Sequence, residues 1–249
     1  MMERGRQSMA SGEQSLDGKV ALITGASSGI GRAFALALAR SGVSVFLVAR
    51  REERLREVIS EIGRSGGEGA YHVADVRNLP GLYDLVDVLL SRYKKLDILV
   101  NNAGLGYRAP LEDLKRSEIA EMIETNLSAP IHLTQAALPA LVRSAPSDIV
   151  FMSSFAGLQG YGEGTVYCAV KHGVVGFARA LAEELKPQSV RATAFCAGSI
   201  DTEFFDRFRP TTERDRMLQT EDAVRALLYV LKSPPHVLHG EIVLRPRVV

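Results

Sequence analysis

The stretch Val20-Ala-Leu-Ile-Thr-Gly-Ala-Ser-Ser-Gly-Ile-Gly-Arg32 runs from a short apolar segment into a glycine-studded turn, then into a helical pattern. An apolar run of this length, closed by glycine, reads as a buried strand. Gly25, Gly29 and Gly31 permit a tight turn and let an anionic group approach the backbone where the next helix begins. Free N–H groups and the helix dipole favour negative charge there. The spacing G-x-x-x-G-x-G matches neither the G-x-G-x-x-G dinucleotide turn nor the lysine-bearing loop of NTPases. Taken alone, the turn leaves two readings open, a phosphate site and a plain tight turn.

The same alternation continues through the chain. Strand-like runs are expected at Val20–Thr24, Val43–Val48, Gly69–Val73, Leu96–Val100, Ile149–Met152, Val190–Phe195 and Glu241–Leu244. Helical patterns lie between them at Gly29–Ser41, Arg51–Gly63, Leu79–Tyr93, Ser117–Val142 (broken near Asn126), Gly164–Leu185 and Glu221–Leu231. Apolar strands separated by helices predict an α/β fold, one doubly wound parallel sheet with helices on both faces and ligands at its carboxyl edge. No repeat or linker divides the chain, so residues 16–249 are expected to form a single domain behind a disordered tail, 1–15.

Of the 249 residues, 46% are hydrophobic and 24% charged, and 30 basic against 29 acidic side chains leave a net charge of +1. This balance gives no electrostatic case for nucleic acid or an anionic membrane. The stretch from Thr125 to Val142 lacks charged side chains, yet Pro130, His132, Gln135 and Pro139 mark it as a buried helix and not a membrane span. Met1 to Ser15 is polar and mixed in charge, unlike a signal peptide. The two cysteines, Cys168 and Cys196, suggest no disulfide framework, and a cytoplasmic setting is expected. No metal site is assigned.

Two further places carry chemistry. The second strand ends at Ala49 followed by Arg50 and Arg51, where an NAD-selecting site would usually hold a carboxylate for the ribose hydroxyls. A guanidinium there suits a 2′-phosphate, so NADP(H) is expected over NAD(H), with Arg50 the preferred contact because it follows the strand directly. In Thr165-Val-Tyr-Cys-Ala-Val-Lys171, Tyr167 and Lys171 share a helix face one turn apart, with Ser154 upstream. An ammonium about 4 Å from a phenol, at an effective dielectric of roughly 20, favours the phenolate by about 4 kcal/mol, or ~3 pKa units. Such a phenol is expected to exchange protons nearer neutral pH.

These motifs, in this order, resemble the short-chain dehydrogenase/reductase family, in its classical branch, from Leu16 to the end of the chain. The matching elements are Thr24 to Gly31, Asp75-Val76, Asn101-Asn-Ala-Gly104, Asn126, Ser153-Ser154, and Tyr167 with Lys171. The resemblance implies a Rossmann-like domain that interconverts a carbonyl and an alcohol by hydride transfer with NADP(H). Gly25, Ser27, Ser28, Gly29, Ile30 and Gly31 would hold the phosphates. Asp75 and Val76 would contact adenine, Asn102, Ala103 and Gly104 would back the ribose, and Ile200 with Thr202 would meet the carboxamide. Tyr167 would be general acid or base, and Lys171 would lower its pKa and bind the nicotinamide ribose. Ser154 would hold the substrate oxygen, and Asn126 a water. Hydride transfer creates an alkoxide, which needs an aimed donor and a proton on demand. The alternative is a non-catalytic NADP(H)-binding regulator, which would more naturally lack one of the four proton-handling residues.

Two departures stand out: Ala197-Gly198 replaces the family's frequent Pro-Gly, and Val170 precedes the lysine where a small hydroxyl residue is frequent. The segment of about 199–220 is expected to be a lid. Phe204, Phe205 and Phe208 would line an apolar pocket or pack the lid down, with Phe155, Leu158 and Tyr161 opposite. Arg207, Arg209, Arg214 and Arg216 would recognise an anion or lie in solvent. The family also implies a homodimer or homotetramer. Ala178, Leu181, Ala182 and Leu185 would face either a partner subunit or the chain's own sheet.

Overall fold

In the computed structural model, residues 12–206, 208 and 213–247 are described. Seven parallel strands form one sheet in the order β3-β2-β1-β4-β5-β6-β7. The strands are β1 (Val20–Thr24), β2 (Ser44–Ala49), β3 (Gly69–Val73), β4 (Ile98–Asn101), β5 (Ser147–Met152), β6 (Val190–Ala197) and β7 (Glu241–Leu244). The helices are α1 (Gly29–Arg40), α2 (Glu52–Arg64), α3 (Leu79–Tyr93), α4 (Arg116–Ile123), α5 (Ala129–Arg143), α6 (Thr165–Leu185) and α7 (Thr220–Lys232). β1, β4, β5 and β6 are buried along their whole length, which explains why they are predominantly apolar. β3 and β7 form the half-buried edges.

One core packs α3, α5 and α6 against one face of the sheet, and a second packs α1, α2 and α7 against the other. Ala178, Leu181, Ala182 and Leu185 lie in the first core, so this face of α6 meets the chain's own sheet. Both cysteines are free and buried. Among the described residues, no helix is long and apolar enough to cross a membrane. Residues 1–11 of the expected tail lie outside the described residues. Gln14 is already docked, its backbone N–H donating to the Lys232 carbonyl at 2.8 Å.

The long helix expected from Ser117 is interrupted as anticipated, and the interruption is a π-helical turn, Glu124–Ser128. Two local causes act together. Pro130 has no N–H to give to the Asn126 carbonyl. The Asn126 side chain competes for backbone groups, its Nδ2 donating to the Met122 carbonyl at 2.9 Å and the Leu105 carbonyl at 2.8 Å.

The sheet order reverses between β1 and β4, and a crevice opens there at the carboxyl ends of the strands. At the opposite end, buried Arg191 of β6 pairs with buried Asp148 of β5 at 2.7 Å. Arg191 also donates to the carbonyls of Ser233, Pro234 and Val237, fastening the segment after α7. Burial raises the Asp148 carboxyl above the usual carboxylate range, and Arg191 opposes that rise. Arg191→Leu strands this acid and three carbonyls and is expected to cost about 3–5 kcal/mol. In chemical denaturation, adding Asp148→Leu should recover part of the loss; a single variant as stable as the parent protein would refute this account.

Candidate active site

The crevice is a cavity of about 1000 Å³. Gly25, Ser27, Ser28, Gly29, Ile30, Arg50, Asp75, Val76, Asn102, Ala103, Gly104, Ser154, Tyr167, Lys171, Ile200 and Thr202 all line it. Of the residues selected from sequence, Gly31 and Asn126 lie behind the wall and support it.

The wall begins at Thr24, whose hydroxyl accepts the backbone N–H groups of Asn102 and Ala103, both at 3.0 Å. The Asn102 amide returns the contact, donating to the Thr24 carbonyl at 2.9 Å and to that of Gly25 at 3.3 Å. Gly25 has φ +65, and a Cβ there would lie 2.8 Å from the Ala103 Cα, so the turn presses directly on the end of β4. Thr24 was not selected from sequence, because nothing marks a strand-end hydroxyl as a clamp between two strands.

Ser28 is the N-cap of α1, yet its side chain makes no cap bond and the first turn holds no acid. The leading N–H groups of α1 therefore have no side-chain partner at the N-cap, and Gly29 and Ile30 line the cavity. Thr202 closes over this turn, its Cβ 3.3 Å from where a Cβ on Gly29 would stand. The site thus fits a pyrophosphate in shape and in polarity.

The two arginines after β2 diverge. Arg50 lies 3.8 Å from the Asp75 carboxylate. Arg51 turns to the phosphate loop, donating to the Ser28 hydroxyl at 2.6 Å and the Ser27 hydroxyl at 3.1 Å. Both arginines line the crevice, and Arg51 is the one engaged with the glycine turn. Arg51 also pairs with Glu203 at 3.2 Å, and Arg54 pairs with the same carboxylate at 2.5 Å. Together these arginines hold Glu203 below the usual carboxylate range, Arg54 contributing most. Sequence spacing gave no sign of this clasp. Farther along the crevice, Asp75 is held by Arg77 at 2.6 Å, and Arg77 also reaches Glu121 at 3.1 Å. Glu121 in turn accepts the Tyr107 hydroxyl at 2.6 Å.

At the other end Lys171, 5% exposed, donates from Nζ to the Met152 carbonyl at 2.8 Å. Ser153 bonds the Lys171 carbonyl at 3.0 Å, so β5 and α6 are stitched twice. Asn126 Oδ1 accepts the Leu105 N–H at 3.3 Å. Gly104 is wedged between the two, since a Cβ there would lie 2.9 Å from Asn126 Oδ1 and 3.7 Å from Lys171 Nζ. Ser154 caps the short turn Phe155–Gly157, its hydroxyl accepting the Ala156 N–H at 3.2 Å.

The charge balance differs from the one expected. Burial pushes the Tyr167 phenol well above its ordinary pKa, and a hydrogen bond with Ser154 pulls it partly back. Lys171 Nζ stands 5.7 Å from the centre of the Tyr167 ring, and burial brings its own pKa down to about 8. In this state desolvation outweighs the attraction of ammonium for phenolate, and the lysine is the group nearer neutrality.

The expected lid leaves β6 and returns to it. Ile200 bridges Leu218, and the Asp201 N–H donates to the Leu218 carbonyl at 2.8 Å, closing the base. Phe204 and Phe208 lean on Tyr167 with ring centres 6.1 and 5.0 Å away, and Phe205 packs edge-on against Phe204. These rings both roof the phenol and line the cavity, so the two readings of them hold together. Arg214 binds Asp201 and Asp206, and Arg216 pairs with Glu213. Arg207 and Arg209 lie outside the described residues. Tyr161 lines the opposite wall, where burial raises its phenol to about 12.

The model of the family described as short chain dehydrogenase matches residues 19–213. An uncharacterized oxidoreductase of Staphylococcus aureus is 31% identical over 231 residues, covering 93% of this chain and 98% of that protein. Among solved structures, an alcohol dehydrogenase from the archaeon Thermococcus sibiricus, complexed with 5-hydroxy-NADP, superposes with a TM-score of 0.86 at 33% identity, covering 93% of this chain and 97% of that one. Carveol dehydrogenase from Mycobacterium avium, in complex with NAD, superposes at 0.83 with 28% identity, covering 92% and 96%. With the family's glycine turn, its Ser154, Tyr167 and Lys171 gathered in one crevice, and matches of this extent, the chain belongs to the short-chain dehydrogenase/reductase family.

Proposed function

We propose that this protein is an NADP(H)-dependent oxidoreductase that interconverts a ketone or aldehyde with its alcohol. The observation that carries the reading is the convergence of Ser154, Tyr167 and Lys171 on a cavity whose other end is an anion-binding helix start with Arg51 beside it. A nicotinamide cofactor bound in this cavity would supply or accept the hydride. Around it, the N–H groups at the start of α1 bind pyrophosphate, while Arg51, with Arg50 behind it, binds a 2′-phosphate. Ser154 donates a hydrogen bond to the carbonyl oxygen. Tyr167 delivers its proton to that oxygen as charge develops there, and takes it back in the oxidation direction. Lys171 keeps a positive charge near the phenol and binds the nicotinamide ribose hydroxyls. The phenylalanine roof excludes water from this exchange.

A phenol raised by burial is a firm proton holder in the resting state, which suits the general acid of a reduction. The developing alkoxide and the lysine charge then favour its ionisation only when the reaction calls for it. Tyr167→Phe is expected to lower kcat by about 10²–10⁴-fold while NADPH still binds, as read by the fluorescence of the reduced cofactor. Turnover like that of the unmodified protein would remove the proposed acid.

Lys171 sets the basic limb of the pH profile. Its pKa near 8 means that the ammonium is present below that pH and lost above it. We expect kcat/KM for carbonyl reduction to be level on the acid side and to fall as pH rises through this value. A profile still flat well above it would show that the charge is not required.

NADPH is expected to bind more tightly than NADH. Arg51→Asp should narrow or reverse the difference by about tenfold or more, the weight of a charge-assisted contact, and Arg50→Asp should do so to a smaller degree. Equal affinities for the two cofactors in the unmodified protein would refute the 2′-phosphate assignment.

A further inference from the structure

We propose that the substrate carries a carboxylate as well as the reacting carbonyl, and that Arg245 receives it. This rests on the oxidoreductase reading and names the class of compound the site takes. Arg245 follows β7 and lies at the substrate end of the cavity, which it lines with Phe155, Gln159 and the lid phenylalanines. It is brought there by the return of the C-terminal segment onto the end of β6. The Gly198 N–H donates to the Leu244 carbonyl at 2.8 Å, and a Cβ on Gly198 would sit 3.6 Å from the Arg245 Cα.

Its guanidinium carbon stands 4.1 Å over the centre of the Phe155 ring, within cation–π reach. Phe155 is the residue next to Ser154, the expected anchor of the reacting oxygen. A cation–π contact holds the guanidinium beside the ring without using its N–H donors. No carboxylate among the described residues pairs with Arg245. Other cations are differently placed: Arg108, which lines the same cavity, lies 3.2 Å from Glu163, and on the lid Arg214 is held by two aspartates and Arg216 by Glu213. Arg245 is thus a cation held beside a ring and left without a carboxylate partner among the described residues, at a cavity that Phe155, Phe204, Phe205 and Phe208 line in part. A planar carboxylate matches a guanidinium fork in charge and geometry. The apolar roof of Phe204, Phe205 and Phe208 suits a hydrocarbon body between the two polar ends. The substrates are accordingly amphipathic keto acids and the corresponding hydroxy acids.

Binding tests this without turnover. Benzoylformate and para-acetylbenzoate, each beside its methyl ester, are titrated calorimetrically into the full-length protein loaded with NADP⁺, which cannot reduce a ketone. At least one acid is expected to bind about tenfold more tightly than its ester, the weight of one charge-assisted hydrogen bond. The preference should collapse in Arg245→Gln and survive in part in Arg245→Lys, which keeps the charge and loses the fork. If Arg245→Gln does not fold, Phe155→Leu removes the neighbouring ring and should weaken the same preference. Equal binding of acids and esters, or a preference unchanged in both variants, overturns the proposal. Failure of the oxidoreductase reading is seen separately, as no NADPH oxidation with acids or esters whatever their affinities.

Discussion

One buried hydrogen bond, from the Lys171 ammonium to the Met152 carbonyl, fixes the geometry on which the rest of the site relies. It ties the first turns of α6, which carries Tyr167, to the end of β5, two residues before Ser154. A charge this far from water is expensive, and the carbonyl answers only part of the cost. The remainder appears as the lowered pKa of the lysine. Gly104, just past β4, and Asn126 of the π-helical turn complete the enclosure, and a Cβ at Gly104 would press against Asn126 Oδ1. Three separate stretches of chain thereby meet at a single cation.

The glycine turn does the equivalent work at the other end. Thr24 and Asn102 exchange hydrogen bonds across β1 and β4, so the reversal of strand order is also the place where the crevice wall is most firmly tied. The start of α1 is left without a side-chain cap. Ser27 and Ser28 bond to Arg51 instead, and a local stabilisation is given up where an anion would supply it.

Most of the fold was legible because its strands are buried on both faces and their apolar runs stop at glycine or polar residues. The limits of β1, β3, α3 and β7 agree with those expected, and other boundaries moved by one or a few residues. The site residues were legible because they recur as ordered motifs. What the sequence did not carry was direction and burial. Arg50 and Arg51 are adjacent, and which of them turns to the phosphate loop depends on how the chain leaves β2. The sign of the Tyr167 shift depends on how much water the phenylalanine roof removes, which no spacing reveals. Glu203 and Arg51 are far apart in sequence, so their pairing is a product of the tertiary fold alone.

The return of the C-terminal segment to the mouth of the crevice divides labour along the chain. The groups proposed to move protons are complete by Lys171, whereas the aromatic roof and Arg245 all come from beyond Gly198. Under the proposed function, edits confined to the last portion of the gene would alter the roof and Arg245 while leaving Ser154, Tyr167 and Lys171 in place.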